Sequence, residues 1–207
     1  MIGRFVLRQP DGIRTQKFGE NATDTYKKQG LISHTGEDYS NGWKSPIKAS
    51  ITGEVYSTVN VDNPSYIRYR AIFQIIDTPD FSYEIAYGHI HDCFVKKGDI
   101  VKVGQVIATE GNWGDVYVNG KKPTTAERKF GAGSHLHFQV RKCIRVNEIK
   151  KGKKYLRDNN GYLIRNGFYY EIVDYDNGVN GCVNPALFYE LDDSVVFKIL
   201  KLLGILK

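Results

Sequence analysis

The chain of 207 residues has only three cysteines, Cys93, Cys143 and Cys182, an odd number with no CxxC pair. Neither a disulfide framework nor a thiolate zinc site is compatible with that usage, and the three read as buried thiols. Long apolar runs are scarce as well. The amino-terminal MIGRFVLRQPDG reaches its Pro-Asp-Gly before the roughly 7–15-residue apolar core of a secretory signal is complete, which excludes an ordinary one. No three-heptad stretch is apolar on one face before the last dozen residues, so the chain is not of a helical class. HExxH is missing, and so is the deaminase pattern H-x-E followed by P-C-x-x-C. There is no internal repeat and no low-complexity segment.

What is present favours β structure. The content of 41% hydrophobic and 13% aromatic residues suffices for one core, so a single domain over 1–207 is expected. Glycine (21) and tyrosine (14) are abundant, and short Val/Ile/Tyr/Phe/Thr runs lie between Gly, Pro, Asn and Asp breakers. The predicted class is mainly β. Residues 1–15 read as an N-terminal arm and 14–33 as a polar entry loop. Two strands joined by a turn are predicted in 45–59, two more around 78-TPDFS-82, and a tight meander in 94–111 with turns at Gly98 and Gly104. A polar loop over 112–134 leads into the strand LHFQVRK.

That strand raises the functional question. In 133-GSHLHFQV-140 the side chains alternate, so His135, His137 and Gln139 share one face while Leu136, Phe138 and Val140 share the other. Two imidazoles on a polar face are compatible with plain surface residues; the other histidines shift the balance toward a site. In HTGED, Thr35 and Gly36 disfavour a helix, and an extended segment puts His34 and Asp38 on one face with glycine leaving space between them. His89 and His91 in YGHIHD are likewise expected to share a face. All five histidines thus fall in three strand-like segments beside glycine or carboxylate. Imidazole and carboxylate suit Zn²⁺, whose catalytic sites use three protein ligands and leave a fourth position open. Other metal folds fit less well: Gln139 stands where an HxHxDH hydrolase needs Asp, Arg141 and Lys142 where a cupin needs a carboxylate, and an amidohydrolase barrel is longer.

Taken in order, H-x-x-x-D (His34, Asp38), Y-x-H (Tyr87, His89), V-x-x-G-D-x-V-x-x-G-Q (Val95 to Gln105), G-S-H-L-H-F (Gly133 to Phe138) and N-P (Asn184, Pro185) resemble the lysostaphin-type zinc metallopeptidases that cut peptidoglycan cross-links. The resemblance runs from about Gln16 to Tyr189. It implies a groove in an antiparallel sheet, one Zn²⁺ per chain held by His34, Asp38 and His137, and His135 and His89 as unligated catalytic histidines beside the metal-bound water. His135 is the expected general base, though the two roles can be exchanged. The chain departs from the pattern in having Gln139 where Glu is common, a longer loop at 112–134, an insertion over 141–182, and His91, which has no counterpart and reads as a surface or supporting residue. Tyr26 precedes the first motif, where relatives can place an oxyanion donor, but its spacing does not identify it.

The insertion opens on a concentration of charge. Residues 141–157 hold eight basic residues against Glu148, a local balance of +7, whereas 158–193 carry seven acids against Arg165, or −6. Two readings stand for the basic segment: a solvated hairpin, or a contact with anionic wall polymers; nucleic acid is not expected. The tail 195-VVFKILKLLGILK-207 is too short to span a bilayer and is expected as a short C-terminal helix on the domain, or as an attachment to a membrane surface or protein. Two functions remain open: an active wall endopeptidase, or a non-enzymatic wall-binding or activator module of the same fold. The intact histidines favour the enzyme. Without a signal, a phage-encoded, virion-associated or lysis-released lytic protein acting on the bacterial wall is the expected setting.

Overall fold

The computed structural model describes residues 5–21 and 23–189. Its strands are β1 (Ile13–Gln16), β2 (Glu37–Ser40), β3 (Pro46–Lys48), β4 (Gly53–Val59), β5 (Ala71–Asp77), β6 (Ser82–Gly88), β7 (Ile100–Val101), β8 (Val106–Thr109), β9 (Leu136–Val146), β10 (Arg157–Asp158), β11 (Gly161–Tyr162), β12 (Ile164–Arg165), β13 (Phe168–Ile172) and β14 (Cys182–Val183). Two short helices, α1 (Asp24–Lys28) and α2 (Thr125–Lys129), complete the set with a 3-10 turn at Pro185–Phe188. The mainly β, antiparallel architecture is the one expected. No helix among the described residues is long and apolar enough to cross a membrane.

β9, the strand of the HLHF motif, organises the main sheet, whose order is β1-β2-β9-β6-β5-β4-β7. One edge of β9 pairs along its length with β2, β14 and β13 in turn, and the other pairs with β6. Its pleat separates two environments. Leu136, Phe138 and Val140 are buried with Tyr39, Ile72, Ile85 and Tyr87 in the main core, which stabilises the sheet by about 25 cal/mol per Å² of apolar surface removed from water. His137, Gln139 and Arg141 occupy the opposite face, beside Gly88, Ala86 and Glu84 of β6. Further along that second face Cys143 joins Tyr56, Ile75, Leu156, Leu163, Tyr170 and Ile172 in a separate apolar cluster. The inserted segment therefore covers the same sheet face that carries the histidines, and the open floor ends near Arg141.

Several expectations require correction. The 1–15 arm is built into the fold: Leu7 is fully buried and bridges Tyr189, Phe5 stacks on Phe188, and β1 crosses the arm's far boundary to pair with β2. The 14–33 entry loop contains the end of β1 and α1, and the 112–134 loop contains α2, held by a capping box between Thr124 and Glu127. The 94–111 stretch is not a meander, because β7 pairs with β4 and β8 with β3. Of the 141–182 insertion, residues 141–146 continue β9, an extension hidden from sequence by its three charged side chains. The cysteines are free as expected, Cys143 and Cys182 buried and Cys93 half-buried. The tail 195–207, with its expected helix, lies outside the described residues.

The segment 141–157 is not a continuous basic surface. Arg141 forms an ion pair with buried Glu84, which also accepts a hydrogen bond from the buried Tyr56 hydroxyl. Lys153 pairs with Glu171 at 3.1 Å, Arg145 donates to the Thr78 and Pro79 carbonyls, and Lys142 lies over the Phe81 ring.

Removing one member of a buried pair leaves the other uncompensated. Glu84→Ala is expected to destabilise the protein by about 3 kcal/mol, the low end for buried pairs since Arg141 keeps some water contact. For a chain of this length that lowers Tm by roughly 6–12 °C, with partial recovery in Glu84→Leu/Arg141→Met. An unchanged Tm in Glu84→Ala, read by calorimetry, contradicts the assignment.

Candidate metal centre

The site is built on the β2–β9 ladder, where Asp38 stands directly opposite His137. His34 precedes β2 and turns its ring back over both. The donor atoms converge: His34 Nε2 lies 3.0 Å from His137 Nδ1 and 3.1 Å from Asp38 Oδ1, and His137 Nδ1 lies 3.0 Å from the same carboxylate oxygen. Among the described residues these three form the one group of His, Cys, Asp and Glu side chains with ligand atoms so close together.

Hydrogen bonds around the cluster decide which nitrogen carries each proton. His34 Nδ1 lies 3.0 Å from the Lys17 carbonyl, which can only accept, so Nδ1 holds the proton and Nε2 presents a lone pair. His137 Nε2 faces Thr35 Oγ1 at 3.4 Å, whose own hydroxyl donates to Gln139 Oε1 at 3.1 Å. That chain places the His137 proton on Nε2 and leaves Nδ1 bare. With both imidazoles neutral there is no donor inside the triangle, and its three lone-pair bearing atoms repel one another unless a proton or a metal cation lies between them. Zinc with N and O ligands at about 2.0–2.2 Å spans a tetrahedral edge of roughly 3.3 Å, close to the separations found. The residues fit the ion.

The electrostatics agree. Asp38 is held well below the usual carboxylate range: burial raises it, but the His135 charge and the hydrogen bonds from His137 and His34 outweigh that. His34 is raised despite burial, because the Asp38 carboxylate attracts a proton onto its ring. A bound cation has to displace that proton.

The other two predicted histidines face the same groove, a cavity of about 930 Å³ also lined by Tyr26, Tyr69, Phe73 and Arg141. His135 Nδ1 donates to the Gly133 carbonyl at 2.9 Å and His89 Nδ1 to the Trp113 carbonyl at 2.6 Å, so both present a bare Nε2. Their ring centroids are 4.5 Å apart. Burial first, then the neighbouring His135 and His137, push His89 well below the ordinary histidine value, so it is neutral near pH 7. Asp38 Oδ2 lies 3.7 Å from His135 Nε2.

His91 does not share this face. β6 ends at Gly88, and His89 adopts a left-handed φ of 61° that breaks the alternation expected from sequence. His91 instead lies against Trp43 and accepts from Trp113 Nε1 at 3.3 Å. Tyr26 is in the groove wall, its hydroxyl accepting from Gln16 Nε2 at 2.9 Å. Sequence reasoning missed Thr35 and Tyr69, whose ring meets His89 edge-on at 5.0 Å. Thr35 was legible in principle, standing between two ligands; Tyr69 carried no signal. Two glycines make room: a Cβ on Gly88 would lie 2.0 Å from the Tyr69 hydroxyl, and one on Gly36 would lie 2.4 Å from the Phe138 carbonyl and 3.0 Å from His137 Nε2.

Gly36→Ala is therefore expected to push β2 from β9 and misplace His137, weakening zinc at least about 10-fold, in line with other disturbances of ligand support. Competition titration against a chromophoric chelator measures this. In the unmodified chain the same titration should show affinity falling as pH drops, with the fall beginning above the ordinary histidine range because the raised His34 value lets protons compete. Unchanged affinity in Gly36→Ala rules out the close-approach argument.

No curated protein matches the chain. Among solved structures it is similar to LytU, at 28% identity over 64% of this chain and 74% of that one, with a TM-score of 0.44. It is also similar to the catalytic domain of the prophage-encoded protein EnpA of Enterococcus faecalis, at 25% identity over 67% and 81% with a TM-score of 0.38. The catalytic domain of lysostaphin from Staphylococcus simulans follows at 20% identity over 69% and 84% with a TM-score of 0.39. The model of peptidase family M23 matches residues 32–154, a span that takes in every histidine of the groove, and the chain belongs to that family.

Proposed function

We propose that the protein is a zinc-dependent endopeptidase that hydrolyses peptide cross-links of bacterial peptidoglycan. The observation that carries this reading is the convergence of the His34, Asp38 and His137 donor atoms in a groove where two further imidazoles present unprotonated Nε2 atoms. A zinc ion on the three ligands supplies Lewis acidity toward a peptide carbonyl and lowers the pKa of coordinated water from about 15.7 to about 7. The chain's own groups do the rest. His135 Nε2 takes a proton and returns it to the leaving amine, with Asp38 Oδ2 close enough to favour the imidazolium. Held neutral by burial, His89 faces it as the second proton carrier or as a hydrogen-bonding partner for the developing oxyanion. Membership of a peptidase family supports peptide hydrolysis, and the resemblance of the HxxxD, HLHF and N-P motifs to lysostaphin-type enzymes supports the wall as substrate.

The setting belongs to the same proposal: action on the bacterial wall, by a phage-encoded, virion-associated or lysis-released protein. Exposed Lys150, Lys151 and Lys154 are the part of the basic segment offered to anionic wall polymers, and the tail 195–207 is assigned a separate attachment role.

Purified peptidoglycan from several wall types, digested and analysed for new amino and carboxyl termini, tests the activity and identifies the bond. His137→Ala is expected to lose both zinc and hydrolysis. His135→Ala is expected to keep its zinc while its rate falls by about 10²–10⁴, the range for a positioned acid–base group. If His135→Ala loses metal while His137→Ala keeps it, the ligand set is wrong. If wild-type zinc-loaded protein releases no new termini from any wall, the enzyme reading fails in favour of a binding module.

A further inference from the structure

His89 works only if its Nε2 is bare, and that state depends on one main-chain oxygen, the Trp113 carbonyl 2.6 Å from Nδ1. The loop carrying that carbonyl is short and irregular, and no strand ladder holds it. Beside the Gly114 amide, which donates to the Tyr66 carbonyl at 2.8 Å, the groups that hold it centre on one side chain. Arg128 is the buried residue of α2, 5% exposed, and it donates only to main-chain carbonyls. Its Nη1 lies 2.7 Å from the Asn112 oxygen, 2.9 Å from the Gly114 oxygen and 3.3 Å from the Tyr66 oxygen, and its Nε lies 3.2 Å from the Pro123 oxygen. The Asn112 side chain returns the contact, donating to the Arg128 carbonyl at 2.9 Å and to that of Ala132 at 2.8 Å.

The carbonyls on either side of Trp113 are thus pinned by a single nitrogen. Peptide units are planar, and the unit that carries the Trp113 carbonyl also carries the Gly114 N–H, which donates to the Tyr66 carbonyl at 2.8 Å; Arg128 Nη1 holds that same carbonyl as well as those of Asn112 and Gly114, so turning the Trp113 unit breaks the set. We propose that Arg128 is a positioning residue for His89: by clamping the Asn112 and Gly114 carbonyls it aims the intervening Trp113 carbonyl at Nδ1 and thereby keeps His89 in the tautomer with a free Nε2. This rests on the endopeptidase reading for its catalytic consequence, but its structural consequence does not depend on activity. Lysine substitutes only in part, since an ammonium is a point donor without the planar fork that spans several carbonyls. Arg128→Met removes every donor at nearly constant volume and strands three or four buried carbonyls, so the loop relaxes toward water.

Two measurements test it. In the zinc-loaded full chain, imidazole ¹⁵N NMR should find His89 as the Nδ1–H tautomer, and in Arg128→Met a mixture with the Nε2–H form while the zinc stoichiometry is unchanged. Kinetics should show kcat reduced about 10–100-fold, the usual effect of losing an orienting partner, with KM little altered. Arg128→Lys should fall between the two and serves if the Met variant does not fold. In a His89→Ala background neither change at Arg128 should reduce kcat further. Tautomer populations that stay as in wild type, or losses that multiply with His89→Ala, overturn the proposal. If the wild type hydrolyses nothing, the endopeptidase reading is what has failed, and the NMR comparison still decides the role of Arg128.

Discussion

Everything at this site depends on the cross-strand register that sets Asp38 opposite His137. A slip of one residue between β2 and β9 turns Asp38 toward the core and replaces it on the groove face with Glu37 or Tyr39. The register is enforced from behind. Glu37 is buried on the core side and accepts from Tyr39, Tyr189 and Arg14 at 2.7, 2.6 and 2.7 Å, so its charge is fully satisfied only in this alignment. The N-P motif enters the same argument, for Asn184 caps the 3-10 turn that delivers Tyr189 to Glu37.

Given that register, main-chain carbonyls determine what each imidazole can do. Lys17, Gly133 and Trp113 each accept from an Nδ1, and in doing so expose an Nε2. His137 is the exception, turned by Thr35 so that Nδ1 faces inward. A ligand and a proton carrier therefore differ less in the histidine itself than in how far its bare nitrogen stands from the carboxylate: 3.1 Å for His34, 3.0 Å for His137, 3.7 Å for His135.

The insertion has a structural part and an exposed part. Leu156, Leu163, Tyr170 and Ile172 cover the groove-side face beyond Arg141, where an uncovered sheet would place Tyr56 and Ile75 in water. Charge that looked like one basic block in sequence is divided by this packing, with Arg141 drawn into an ion pair with Glu84 and Lys153 into one with Glu171.

Sequence by itself determined the class and the core and polar faces of β9, because alternation along a strand is local, and the resemblance of its ordered motifs singled out His34, Asp38, His89, His135 and His137 as one set. The pairings of β5 with β6 and of β3 with β8 were only partly legible: the former are joined by a tight turn, the latter meet from far apart in the chain. Tertiary structure alone decided the rest. Which ring nitrogen is bare depends on carbonyls of Lys17, Gly133 and Trp113, and a carbonyl is common to every residue type, so no sequence signal marks it. The separation of His91 from His89 followed from one left-handed residue at the end of β6. The role of Arg128 was equally silent, since a basic residue in a polar helix reads as solvated until the loops on either side close around it.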